Sequence, residues 1–77
     1  MSDYELKIVH TIYQHFLETG SKEFTFCITN GSDSVHMSNA MNALEEKGFI
    51  TILEESFFHT NLLAEDSLFR YMAELES

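Results

Sequence analysis

Apolar positions recur along this chain with two different periods. Between Ser2 and Thr19, Ile8, Val9, Ile12, Tyr13, Phe16 and Leu17 fall on one side of a 3.6-residue turn. Lys7, His10, Thr11, Gln14 and Glu18 fall on the other. This spacing predicts a first helix over 2–19, stopped by Gly20. Ser2 and Glu5 form an S-x-x-E capping box, and Met1 and Leu6 are placed as a hydrophobic staple across it. The first helix's apolar face is wide enough for a core and for a seam with a second copy. From Lys22 to Thr29 the period becomes two. Phe24, Phe26 and Ile28 alternate with Thr25, Cys27 and Thr29, which predicts a half-buried strand. Asn30-Gly31-Ser32-Asp33-Ser34 is a dense turn cluster in which Asp33 or Ser34 is placed to cap the next helix. For 21–34 as a whole, strand plus turn and distorted helix both remain open.

The stretch from Val35 to Ile50 organises the rest. Met37, Ala40, Met41 and Leu44 make one apolar helix face, Lys47 suits the negative end of the helix dipole, and Gly48 stands where a helix needs positive φ. Phe49 to Leu53 and Phe57 to Leu63 then read as two strands joined through Glu54-Glu55-Ser56. That connection lacks Asn-Gly or Gly-X chemistry, so a loop slightly longer than two residues is expected. Neighbours on a strand face opposite ways, so one of Phe57 and Phe58 belongs to the core and the other lies under the last helix or a second subunit. Glu65 to Glu74 reads as that last helix, with Leu68, Tyr71, Met72 and Leu75 as its inner stripe.

Composition narrows the class. A chain of 77 residues with 44% hydrophobic content makes one domain with a modest core. Thirteen acidic residues against four basic ones give a net charge of -9. A phosphate backbone or an anionic membrane would repel this chain at long range, so a protein partner is the expectation over nucleic acid. The single cysteine, Cys27, cannot close an internal disulfide, and no run approaches the length of a membrane span. The expected setting is the cytoplasm.

At Met37-x-x-Ala40-Met41-x-x-Leu44-Glu45-Glu46-Lys47-Gly48-Phe49-Ile50 the chain resembles the third helix and wing start of winged helix-turn-helix domains. Leu62-Leu63-Ala64-Glu65-Asp66-Ser67-Leu68 resembles their strand-to-helix exit. The resemblance implies an α+β fold in the order α-β-α-β-β-α, with a small antiparallel sheet packed on three helices. It also implies a central helix that enters the major groove and a hairpin wing on phosphate. Here the helix that normally precedes the recognition helix is replaced by FTFCITNGSDS. The surface is also acidic where such domains are basic.

Those charges direct the functional reading. Asn39, Asn42, Glu45 and Glu46 on the central helix, with Glu54 and Glu55 on the wing, are the candidate contacts by which the chain, expected as a homodimer, would occupy the basic site of a protein partner. The resemblance makes such a chain a small regulator of phage or mobile-element type, by analogy alone. The alternative is a homodimeric, sequence-specific DNA-binding regulator. It would read bases with Ser38, Asn39 and Asn42, and use Lys47, Lys22 and Arg70 on phosphate. A purely structural subunit is the third reading. His10 and His15 are five apart, and Cys27 and His36 belong to different elements, so no metal site is expected. Cys27 reads as a small buried or half-buried residue. No nucleophile elbow or glycine-rich phosphate loop is present, so neither an enzyme nor a cofactor is expected.

Overall fold

The computed structural model describes residues 1–27, 31–56 and 59–76. Its elements run α1 (Asp3–Thr19), β1 (Glu23–Cys27), α2 (Gly31–Glu46), β2 (Ile50–Glu55), β3 (His59–Ala64) and α3 (Asp66–Glu76). This is an α+β fold of three helices and one three-stranded antiparallel sheet, ordered β1-β3-β2.

Each helix boundary has a local cause. Ser2 caps α1 by accepting the Glu5 N–H on its hydroxyl at 3.2 Å. Glu5 does not return the bond in the reciprocal capping-box manner; its carboxylate reaches Lys47 instead. Gly20, at φ 76°, ends α1 and donates to the Phe16 carbonyl. At the end of α2, Gly48 adopts φ 83° and donates to the Glu45 carbonyl, while Phe49 N–H reaches back to that of Leu44. Those two bonds are the Schellman pattern, and they turn the chain straight into β2.

The expected central helix began at Val35, whereas α2 begins at Gly31. Asp33 and Ser34 therefore lie within its first turn and do not precede it. Short polar side chains suit a helix's first turn, with its free N–H groups and positive dipole end, as well as they suit a turn. Glu54 and Glu55 are likewise strand residues of β2, where a connecting loop was expected. A register shift between Ile52 and Glu54 absorbs one extra residue there and lets pairing with β3 continue. The expectation for Phe57 and Phe58 falls outside the described residues.

One core joins all three helices to the inner face of the sheet. Ile8, Val9 and Ile12 of α1 meet Ala40, Met41 and Leu44 of α2, with Leu68 and Met72 of α3. Ile50, Leu62 and Ala64 supply the sheet's share. The burial of β3 alternates strictly, with Thr60, Leu62 and Ala64 buried. Two outer members of the expected stripes stay in solvent: Leu17 is 56% exposed and Leu75 54%. Each sits near the C-terminal end of its helix, past the last buried residue of that helix. No described helix is long and apolar enough to cross a membrane.

Candidate functional site

The residues singled out by sequence lie on α2 and on the β2–β3 hairpin, and the fold sorts them into engaged and free. Glu45 is engaged. Its Oε2 accepts the backbone N–H of Ile52 at 2.7 Å. The direction of that N–H follows from the ladder. Ala64 N–H donates to the Lys22 carbonyl, so Ala64, Leu62 and Thr60 turn their backbone groups toward β1. Leu63 and Asn61 then turn theirs toward β2, and Ile52, opposite Leu62, points its N–H away from the sheet. Glu45 therefore caps an edge donor of β2 and ties α2 to the sheet, a structural duty that its partner-contact assignment overlooked.

Glu54 and Glu55 diverge across the register shift. Glu54 Oε1 lies 3.4 Å from His59 Nε2. Glu55 Oε1 accepts the Ser38 hydroxyl at 3.5 Å, the long limit for such a bond. Ser38 is thereby turned toward the hairpin. Asn39, Asn42 and Glu46 are exposed, and no hydrogen bond or ion pair to their side chains occurs among the described residues. Sequence reasoning thus placed the exposed face correctly for these three. It could not foresee the Glu45 bond, because Ile52 lies seven residues away on another element.

Two of the four Lys and Arg residues, Lys47 and Lys22, are occupied. Lys47 Nζ contacts Glu5 Oε2 at 2.8 Å, which holds the Glu5 carboxyl below its ordinary value of 4.5, chiefly through that hydrogen bond. Lys22 Nζ pairs with Asp66 at 3.2 Å and sits 5.9 Å from the Phe69 ring centre. Neither Lys nor Arg approaches Glu46, Glu54 or Glu55 within ion-pair distance among the described residues. The face formed by α2 and the hairpin is consequently acidic without internal compensation by lysine or arginine.

Ser56, His59 and Glu54 follow one another in nucleophile–base–acid order, with Ser56 Oγ 2.9 Å from His59 Nδ1. The same hydroxyl also accepts the His59 N–H and donates to the His59 carbonyl, both at 3.2 Å. These bonds span three residues and close the hairpin, which gives the cluster a local structural role. Two further histidines have ring partners: His36 stacks on Tyr4 at 3.9 Å and His15 meets the Phe24 edge at 4.8 Å. Cys27 is exposed, contrary to the expected burial, because on β1 it alternates with the inward Phe26. Among the described residues no group of three or more His, Cys, Asp or Glu is placed to hold a metal ion.

Fold and site together define a small α+β protein with an acidic face built from one helix and one hairpin. Comparisons with protein-family models, with curated proteins and with solved structures returned no match.

Proposed function

We propose that this chain is a non-enzymatic, winged-helix-like module that acts through protein–protein contact, its acidic face occupying a basic site on the partner. The element order, the sheet order β1-β3-β2 and the β2–β3 hairpin in the place of a wing support the winged-helix reading. α2 stands where the recognition helix would be, as one uninterrupted helix of 16 residues. The observation that carries the function is the distribution of charge. Lys22 and Lys47 are committed to Asp66 and Glu5, while Glu46, Glu54 and Glu55 face solvent with no Lys or Arg set against them among the described residues. Asn39 and Asn42 extend this face along α2. A DNA-binding regulator has less support, since Lys47 and Lys22 were its expected phosphate anchors.

The test is a salt series followed by fluorescence anisotropy. A labelled arginine-rich peptide should bind at low salt. Substituting Glu46, Glu54 and Glu55 together with Gln should weaken that binding far more than the same change at Asp3, Glu18 and Glu23. Mixed-sequence duplex DNA should not bind under the same conditions. Equal losses in the two triple variants would sink the placement of the face. Salt-dependent DNA binding would replace the proposal with the regulator reading.

A further inference from the structure

Every sheet has two edges, and an open edge is a template for another strand. Here each edge is closed in part by the protein's own devices. On β2, Glu45 covers the Ile52 N–H and the register shift at Ile52/Glu54 breaks the regular ladder. On β1, the outward residues are Glu23, Thr25 and Cys27, since Phe24 and Phe26 exchange their bonds with Leu62 and Thr60 of β3. The Ser21 hydroxyl closes the first of them, accepting the Glu23 N–H at 3.2 Å and donating to the Glu23 carbonyl at 3.3 Å. Thr25 and Cys27 have no such cover among the described residues.

We propose that the Thr25–Cys27 edge joins a second copy of this chain in antiparallel pairing about a two-fold axis at Phe26, extending the sheet to six strands. The occupant follows from charge and symmetry. This stretch is uncharged in a chain of net charge -9. The two-fold sets Thr25 opposite Cys27 of the partner subunit and Phe26 opposite its own copy, so no like charges face each other. That register uses only the two uncovered residues and leaves the Ser21 lock on Glu23 in place. Phe26 is half-buried beside a groove of about 270 Å³ that it lines with Tyr4, Lys7, Ile8 and Thr11. Pairing would bring the two Phe26 rings together at a non-hydrogen-bonded position, where cross-strand side chains are closest. The inference does not rest on the acidic face, which lies on α2 and the opposite edge.

Sedimentation of the native chain across a salt series tests it. Both copies are acidic, so added salt should strengthen the dimer, whereas it weakens capture of a basic partner. Thr25→Pro removes an outward N–H and no backbone β1–β3 bond, losing across that pair only the hydroxyl bond from Thr25 to the Asn61 side chain, so it should leave the circular dichroism spectrum unchanged and shift the protein to monomer. It should leave binding of the arginine-rich peptide intact. Should that variant fail to fold, T25C serves in its place: mild oxidation by glutathione disulfide should link it to Cys27 of the partner subunit, with two glutathione released as the oxidant is reduced. A monomer at high salt and high micromolar concentration, a folded Thr25→Pro dimer, or no cross-link in T25C would each overturn the proposal.

Discussion

Glu45 and Glu46 are adjacent acids on one exposed helix end, yet their substitution should have very different consequences. Glu45 accepts the Ile52 N–H at 2.7 Å. A hydrogen bond to a charged group contributes about 1.5–3 kcal/mol net where water is excluded. Glu45 is exposed, so solvent competes, and Glu45→Ala should cost about 1 kcal/mol. In a domain of this size that lowers the melting temperature by about 4–8 °C. Glu45→Gln keeps an oxygen acceptor and should lose only a part of this. Glu46→Ala should stay within about 0.5 kcal/mol of the parent, because nothing among the described residues bonds to it. Urea and thermal unfolding followed by circular dichroism give the energies. Amide exchange at Ile52 gives a local signature, since its N–H loses cover in Glu45→Ala alone. Equal stability of Glu45→Ala and Glu46→Ala, with Ile52 exchange unchanged, would refute the assignment of Glu45 to the sheet edge.

Two other perturbations probe the joints around α2. Gly48→Ala places a Cβ in open space but holds it at φ 83°, so the cost is conformational alone, about 1–2 kcal/mol by urea unfolding; a neutral result would mean the turn relaxes out of the left-handed region. Glu5 is a carboxylate whose folded-state value is depressed by Lys47, so its contribution is complete above its unfolded value near 4.5 and disappears as pH falls through the lower folded value. Glu5→Gln should therefore flatten the acid limb of the stability–pH curve below that point, and an unchanged limb would count against the Glu5–Lys47 pair.

How legible the site was depended on how far apart its parts lie in the chain. Gly20 and Gly48 could be read as helix stops, and Asn39, Asn42 and Glu46 as an exposed face, because a helix repeats every 3.6 residues and each position fixes its neighbours. The Lys22–Asp66 and Lys47–Glu5 pairs join residues 44 and 42 positions apart, and no local pattern signals them. Those pairs removed the two lysines that a DNA-binding reading relied on.

By itself, then, the sequence determined the order and kind of the elements outside 21–34, the α1 cap, and most of the core, down to Leu44 and Leu68. Periodicity and short-range backbone sterics set these, and both act within a turn or two of chain. Only the tertiary structure decided that Glu45 belongs to the sheet edge, that Glu54 and Glu55 lie in β2 around a register shift, and that Thr25 and Cys27 are left uncovered among the described residues. The physical reason is that a strand's hydrogen bonds are made to another strand. Which backbone groups remain open is a property of the pairing, and pairing exists only once the chain has closed on itself.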